Sequence, residues 1–366
     1  MSSSSMPYAV QPAPGPASPP GPASAPGPAS APGSDRHPES PPRPGGFALE
    51  AADLVKTYPG GRGTPRVQAL DGLSLRVAEG QVYGVLGPNG AGKSTTVKIL
   101  STLSRPDSGS ARVAGIDVAR HPDAVRRSIG LVGQKSSAAT MMTGRESIAM
   151  AARIQGLSRR QAKSRTAELL ERFGLAEAAD RLTKTYSGGM QRKLDVAIGL
   201  VNRPAVLFLD EPTTGLDPEA RAEMWAEIAR MASTERMTVL LTTHYLDEAD
   251  HLADRLAIID RGRVVAEGTP DELKSELRGD AIVVELTDPA DAPRALARLG
   301  SLADLRDLLH EGRTLRARAD HGARAIPGVL AALEQGGVAV ASATVARPSL
   351  DDVYLRHAGR AFEGAA

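Results

Sequence analysis

The sequence contains no cysteine among its 366 residues. A disulfide framework, a thiolate zinc site and a cysteine nucleophile are therefore excluded together. Aromatic residues are also scarce, at 3%, so aliphatic side chains must fill most of the core. No window reaches the roughly 18 consecutive apolar residues of a membrane-spanning helix, and any membrane role is expected to come through another polypeptide. A formal net charge of +1 excludes a nucleic-acid binder driven by charge alone, and no nucleic-acid partner is expected.

Three stretches of different composition follow one another along the chain. Residues 1–46 are nearly all Pro, Ala, Gly and Ser, which cannot bury enough apolar surface to offset their ordering entropy, and a disordered tail is predicted. Over residues 47–278, apolar strands alternate with helical stretches, which predicts an α/β domain with a largely parallel sheet. From residue 279 to 366 the pattern reads β-α-β-β-α-β, which favours a small α+β, ferredoxin-like accessory domain. The alternative is an extension of the first domain.

A glycine-rich turn between an apolar strand and a helix has the pattern of a phosphate-binding loop. Its glycines let consecutive backbone N–H groups converge on phosphate oxygens, and the following helix adds the positive end of its dipole. Lys93 is expected to reach the β- and γ-phosphates, and Ser94 to ligate Mg²⁺. The nucleotide-binding candidates in this loop are Gly87, Asn89, Gly90, Gly92, Lys93, Ser94 and Thr95.

The apolar run at residues 206–209 is followed by two acids, Asp210 and Glu211, and the whole segment is predicted to be a buried strand that ends in these acids. Asp210 is placed to hold Mg²⁺ through a water. Glu211 is then placed to orient or deprotonate the attacking water. Alone, such a pair is more often the start of a loop, and the phosphate-binding loop upstream is what gives it a catalytic interpretation.

The segment Ser187-Gly188-Gly189-Met190-Gln191 is not needed by a generic ATPase with a phosphate-binding loop, and it resembles the signature of the ABC ATPases. The hydroxyl of Ser187 and the N–H groups before a helix suit an anion. Further family elements follow in the expected order: Tyr58 as the aromatic on adenine, Gln134 as the glutamine at Mg²⁺ and the attacking water, Asp217 in the loop that crosses the dimer interface, and His244 as the catalytic histidine at the γ-phosphate. The resemblance covers about residues 47–277.

The resemblance implies an ABC-type nucleotide-binding domain with a helical subdomain inserted at about residues 136–186. It implies ATP and Mg²⁺ as ligands. One chain carries one phosphate loop and one signature, so a head-to-tail homodimer is expected, in which Ser187, Gly188, Gly189 and Asp217 reach the nucleotide of the partner. An integral-membrane permease is the other expected partner, which would hold the protein at the cytoplasmic face of the membrane. The Arg-, Ala- and Pro-rich composition is typical of a GC-rich bacterial genome.

Departures from the common family pattern narrow the branch. Tyr186 precedes the signature where many relatives have leucine, and Val132-Gly133 stand before Gln134 where many have proline. With the stretch Thr143-Gly144-Arg145-Glu146 and the ending at 347–355, these resemble the daunorubicin-resistance type of drug-efflux ATPase. The resemblance implies ATP-driven export of a small amphiphilic compound. Polysaccharide or lipid exporters, and DNA-repair or translation-factor ABC ATPases, are the alternatives.

Overall fold

The computed structural model describes residues 46–60, 65–135 and 140–358. The tail predicted for residues 1–46 lies, apart from its last residue, outside the described residues. The strands are β1 (Phe47–Tyr58), β2 (Val67–Ala78), β3 (Val82–Leu86), β4 (Ser108–Val113), β5 (Ile116–Asp117), β6 (Ile129–Val132), β7 (Val206–Asp210), β8 (Thr238–Thr243), β9 (Arg255–Asp260), β10 (Arg263–Gly268), β11 (Asp280–Leu286), β12 (Arg306–Glu311), β13 (Thr314–Ala319) and β14 (Val340–Ala346).

The helices alternate with these strands through most of the chain. They are α1 (Lys93–Leu100), α2 (Pro122–Ser128), α3 (Gly144–Ile154), α4 (Arg159–Arg172), α5 (Gly188–Gly199), α6 (Pro218–Glu235), α7 (Leu246–Leu252), α8 (Pro270–Ser275), α9 (Ala292–Leu299), α10 (Gly322–Gln335) and α11 (Leu350–Ala358).

The central sheet has the strand order β10-β9-β3-β8-β7-β6, and all of its pairings are parallel except that of β10 with β9. Every residue of β3, β7 and β8 is buried. Their sequences are short and rich in Val and Leu, as is typical of strands covered on both faces. Because parallel strands end at the same edge, the residues that follow β3, β7 and β8 meet there, where ligands of open α/β sheets bind.

A second, antiparallel sheet has the order β2-β1-β4-β5 and packs on the same core as α1. Helices α3, α4 and α5 form a helical layer, and their apolar side chains pack together in another core cluster. Two capping boxes begin these helices, with Thr143 and Glu146 at α3 and Ser158 and Gln161 at α4. Each box satisfies backbone N–H groups that a helix start leaves without partners. Of these helices, α3 and α4 lie within residues 136–186, the region predicted as a helical subdomain, and α5 follows it.

The third sheet is antiparallel, in the order β12-β13-β11-β14, and α9 and α10 pack against it. We call it the accessory sheet. Its hairpin between β12 and β13 turns at Gly312, which has a φ of 59°. The element order agrees with the predicted β-α-β-β-α-β pattern, while the ferredoxin-like assignment and the domain boundary at residue 279 stay predictions.

The final helix, α11, lies between the accessory sheet and the nucleotide-binding part. Its Tyr354 is fully buried in a cluster with Leu86, Leu256 and Leu273. On its other side, Asp352 forms ion pairs with Arg318 and Arg316 of β13. The helix therefore packs into the core of the nucleotide-binding part and is joined to the accessory sheet by ion pairs.

Candidate functional site

The phosphate loop (residues 87–92) owes its conformation to glycine. A Cβ on Gly87 would lie 2.4 Å from the carbonyl oxygen of Ile259. Gly92 has a φ of 112°, and a Cβ there would lie 2.6 Å from the carbonyl oxygen of Ala69. Any side chain at either position would displace backbone, so the loop can follow this path only with glycine. Asn89 and Gly90 lie exposed at its tip.

Lys93, at the start of α1, is 4% exposed. Its Nζ donates to the carbonyl oxygens of Gly87 at 2.7 Å and Pro88 at 3.2 Å, and it lies 3.4 Å from Oε1 of Glu211. Burial lowers the pKa of Lys93, while Glu211 and then Asp210 favour the charged form. The lysine thus lies folded back under the loop, joining it to the acid that follows β7.

The side chain of Asp210, at the end of β7, accepts two hydroxyl hydrogen bonds. Ser94 Oγ donates to its Oδ1 at 3.1 Å, and Thr242 Oγ1 of the neighbouring β8 donates to the same oxygen at 2.6 Å. Hydroxyl and carboxylate oxygens are ligands that Mg²⁺ prefers, and Mg²⁺ uses one or two such protein groups with waters and phosphates. Ser94 and Asp210 therefore have the chemistry to bind a Mg²⁺ that takes its other ligands from water and phosphates. Among the described residues, no group of three His or acidic side chains gathers as a metal cage.

Glu211 has a φ of 51°, uncommon for a residue with a side chain. Its N–H donates to both the hydroxyl and the carbonyl oxygen of Thr242, each at 3.1 Å. Its Oε2 lies 3.3 Å from Nδ1 of His244, which has no hydrogen-bond partner among the described residues. Glu211 and His244 are 9% and 6% exposed. Lys93, Glu211 and His244 therefore form one nearly buried cluster at the mouth of the phosphate loop.

The signature residues lie at the start of α5. Ser187 caps this helix, accepting a hydrogen bond from the N–H of Met190 at 3.2 Å. Asp217 caps α6 in the same way, through the N–H of Ala220 at 2.8 Å. A Cβ on Gly189 would lie 2.9 Å from Cβ of Ala220, so glycine lets α5 and the start of α6 approach closely. Ser187, Gly188 and Asp217 are exposed, at two adjoining helix starts.

Two sequence-predicted residues lie outside the cluster. Tyr58 ends β1, and its ring faces the ammonium group of Lys56 at 5.5 Å. Gln134 follows β6 and is exposed. Between the residues that the structure describes, no hydrogen bond joins the side chain of Gln134 to Ser94 or Asp210.

Two contributors to the site were missed from the sequence: Thr242 and Arg192. The hydroxyl of Thr242 donates to the carboxylate of Asp210 and accepts from the N–H of Glu211. Its place near the end of a buried strand, two residues before His244, could have indicated this role in the sequence. Arg192 of α5 is 7% exposed and donates to the carbonyl oxygens of Asp210 and Glu211 at 3.2 and 3.1 Å. Burial lowers the pKa of Arg192, and Asp195, Glu248 and Asp210 oppose this. Because its acceptors are backbone atoms, no side-chain pattern signals its role.

Two family models match the chain: "ABC transporter" over residues 70–214, and "ATP-binding protein DrrA1-3-like, C-terminal domain" over residues 268–358. The daunorubicin/doxorubicin resistance ATP-binding protein of Streptomyces peucetius is 49% identical over 85% of this chain and 92% of its own length. The Nod factor export ATP-binding protein I of Burkholderia thailandensis is 39% identical over 80% of this chain and 93% of its own. The matches to these two relatives therefore extend beyond the nucleotide-binding part of the chain.

A solved structure of the ATP-binding cassette MJ0796, a dimer in a post-hydrolysis state with ADP and Pi, has a similar fold. Its TM-score is 0.56 at 25% identity, covering 60% of this chain and 98% of that one. Within the described part of the chain, every helix is too short or too polar to cross a bilayer. On the match to relatives over nearly their whole length, the chain belongs to the ATP-binding proteins of ABC transporters, in the branch of the daunorubicin- and doxorubicin-resistance ATPases.

Proposed function

We propose that ATP is hydrolysed at the cluster of Lys93, Ser94, Asp210, Glu211 and His244. The observation that carries this is the meeting of a glycine-determined loop, a buried lysine and two acids at one edge of the sheet. Lys93 Nζ is already within 3.4 Å of Glu211, and Ser94 Oγ within 3.1 Å of Asp210. When phosphates enter, Lys93 would exchange its loop carbonyls for phosphate oxygens, and the loop N–H groups would bind the same anion.

The two acids, Asp210 and Glu211, have different roles because their surroundings differ. Mg²⁺ would be held by Ser94, by Gln134 and, through a water, by Asp210. When bound, it would neutralise charge on the phosphate oxygens. Glu211 would orient the attacking water and accept its proton. His244 would donate from its ring to the γ-phosphate, and the nearly buried ring is placed by Glu211, 3.3 Å from its Nδ1, and by the ring of Tyr245. Tyr58 would stack on adenine.

Completion of the site requires a second copy of the chain. Ser187, Gly188 and Asp217 are exposed at the starts of α5 and α6, which present N–H groups and hydroxyl or carboxylate oxygens to an approaching surface. In a two-fold dimer these groups would reach the γ-phosphate and the phosphate loop of the other protomer. The dimeric state of the ATP-binding cassette MJ0796 supports the proposed homodimer.

The other partner is a separate permease that holds the protein at the cytoplasmic face of the membrane. Met150 and Ile154 lie one turn apart on α3 and are 45% and 76% exposed, and Met141 in the preceding loop is 70% exposed. Apolar side chains left in water next to one another are typical of a protein interface. We place the permease contact on this side of the helical layer, close in sequence to Gln134.

The transported compound is proposed to be a small amphiphilic drug or antibiotic, because relatives named for daunorubicin and doxorubicin resistance are 44–49% identical. The Nod factor exporter, at 39% identity, keeps a lipid or saccharide cargo as the second candidate. The chain would be expressed together with a candidate permease, and accumulation of a fluorescent anthracycline would be measured in cells. Lower accumulation with the parental chain but not with Glu211→Gln supports drug export; equal accumulation in both, with ATP hydrolysis intact, would point to the second cargo.

A further inference from the structure

Arg192 makes an unusual set of contacts for a helix side chain. Its Nε donates to the carbonyl oxygen of Pro212 and its Nη1 to that of Gly133, both at 2.6 Å. Its Nη2 donates to the carbonyl oxygens of Asp210 and Glu211. One guanidinium thus binds the end of β7, the residues after it, and the residue before Gln134. Its rigid planar fork makes this possible, and lysine has no equivalent.

These contacts meet the backbone where it is least relaxed. Glu211 has a left-handed φ of 51°, and such a conformation persists only when the surroundings hold it. The N–H of Glu211 donates to the hydroxyl of Thr242 in β8. The carbonyl oxygen of Glu211 accepts from the guanidinium of Arg192 in α5. The peptide units on both sides of the Glu211 side chain are therefore fixed by two separate elements.

The loop after Glu211 is fixed from a third side. Glu248 of α7 is fully buried, and its Oε1 accepts from the hydroxyl of Thr213 at 2.7 Å and from Nε1 of Trp225 at 3.2 Å. Thr213 is the next residue after Pro212, which Arg192 binds. The loop is thus held at two adjacent residues. Arg192 of α5 binds the backbone carbonyl of Pro212, and Glu248 of α7 binds the side chain of Thr213.

Arg192 also shares a helix with the signature turn (Ser187, Gly188 and Gly189). Ser187 caps α5 and Arg192 lies five residues later, about 7.5 Å along the axis. A helix of twelve residues moves as one body, so a force on its first turn moves the guanidinium. The surface that would face the partner's nucleotide is therefore mechanically joined to the protomer's own acid pair (Asp210 and Glu211).

We propose that Arg192 is a positioning residue that fixes the backbone of Glu211, and that α5 thereby links engagement of one nucleotide at Ser187 to alignment of the acid at the other site. This inference rests on the proposed ATPase function. Arg192 touches neither nucleotide. Its loss should lower turnover, and reduce cooperativity between the two sites, without weakening nucleotide binding.

The test compares Arg192→Met and Arg192→Lys with Lys193→Met in the full-length chain. Lys193 is the next residue of α5, and its Nζ pairs with Glu223 at the surface, so its variant controls for loss of a cation from this helix. Steady-state ATP hydrolysis would give kcat, KM and the Hill coefficient, and calorimetry would give the dissociation constant of Mg-ATP. Thermal unfolding would verify that each variant is folded.

Arg192→Met is expected to lower kcat at least about tenfold while the dissociation constant changes less than about threefold, a separation that loss of folding would not give. Arg192→Lys should lie between it and the parent, with a Hill coefficient nearer one, and Lys193→Met should match the parent. If Arg192→Met does not fold, Arg192→Lys decides by the same two measurements. Parental kcat, or a fall in affinity equal to the fall in kcat, would overturn the inference.

Glu211→Gln, measured in parallel, distinguishes a failure of the positioning role of Arg192 from a failure of the proposed ATPase function. If Glu211→Gln is inactive while the folded Arg192 variants turn over at the parental rate, the positioning role fails and the ATPase site stands. If Glu211→Gln itself hydrolyses ATP normally, the proposed function fails, and the positioning role fails with it.

Discussion

The hydroxyl group of Tyr186 occupies the space that a side chain on Gly144 would need: a Cβ on Gly144 would lie 2.2 Å from Oη of Tyr186. The same hydroxyl donates to the carbonyl oxygen of Ala178 at 2.7 Å. Around this pair, Thr143 bridges to Leu182, and Arg145 forms an ion pair with Asp180. Two of the segments that resemble the daunorubicin-resistance branch are therefore in contact, one at the start of α3 and one just before the signature turn.

Gly144→Ala is expected to destabilise the protein by about 1–3 kcal/mol, the usual cost of forcing a methyl group into a packed site. Tyr186→Phe removes the clashing oxygen and leaves the ring carbon at 3.1 Å, a contact that small shifts relieve. The double variant should therefore be more stable than the sum of the two single changes predicts, by at least about 0.5 kcal/mol. Urea unfolding of the four proteins measures this coupling.

Gly328→Ala is the matched control for that cycle. Gly328 lies in α10, and a Cβ there meets nothing within 4 Å, so alanine should leave stability unchanged or raise it by up to about 1 kcal/mol. If Gly144→Ala behaves like Gly328→Ala, the contact between Tyr186 and Gly144 does not constrain the fold.

Lys93→Ala should abolish hydrolysis and weaken nucleotide binding, because the phosphates lose their main side-chain partner. A loss of at least about 100-fold in turnover is expected when a preorganised charge is removed from a buried site. Lys98→Ala, an exposed lysine in the last turn of the same helix, should keep parental values. Hydrolysis assays and calorimetry with Mg-ATP give both quantities, and near-parental turnover in Lys93→Ala would remove the phosphate loop from the mechanism.

Tyr354→Ala should lower the free energy of unfolding by about 3–5 kcal/mol, since it empties a fully buried aromatic site. Because α11 packs on the nucleotide-binding part and is joined to the accessory sheet by the ion pairs of Asp352, the unfolding transitions of the two parts are expected to separate. Arg356→Ala, at an exposed position of the same helix, should leave a single transition. Calorimetry distinguishes the cases, and one unshifted transition in Tyr354→Ala would show that α11 does not join the two parts.

The sequence predicts best where one physical requirement dominates. The buried strands β3, β7 and β8 are rich in Val and Leu, and the phosphate loop needs glycine for its backbone path, so both leave a clear pattern. By contrast, β4 has the sequence SGSARV, mostly exposed, and its strand conformation comes from pairing with β1. Its small, polar residues carry no periodic signal.

The site shows the same division. Asp210, Glu211 and Lys93 follow from residue type and position, because charge chemistry demands those side chains. Arg192 acts on carbonyl oxygens of four residues that are 18 to 59 positions away, and every residue has a carbonyl oxygen. Its role therefore depends on tertiary approach alone. The double attachment of α11, by packing on one side and by ion pairs to β13 on the other, is likewise not predictable from a nine-residue helix with an ordinary amphipathic pattern.

The last prediction separates chemistry from assembly. If Glu211 accepts the proton of the attacking water, Glu211→Gln should retain Mg-ATP and stop before hydrolysis, since the amide cannot accept it. Two uncleaved nucleotides would then lie between the phosphate loop of one chain and the signature turn of the other. A ligand that binds the dimer better than the monomer shifts the equilibrium by mass action. Sedimentation with Mg-ATP should therefore show about twice the mass found without it.

Ser187→Arg in the Glu211→Gln background tests whether the signature turn makes that contact. Ser187 is exposed and caps α5, so arginine would place a long side chain in the facing site while the phosphate loop of its own chain is untouched. The dimer should disappear, and calorimetry should still show Mg-ATP binding to the monomer. Ser301→Arg, at an exposed position beyond α9, should leave the dimer intact. Should both arginine variants dimerise equally, the nucleotide would not be shared through Ser187, and the head-to-tail arrangement would have to be abandoned.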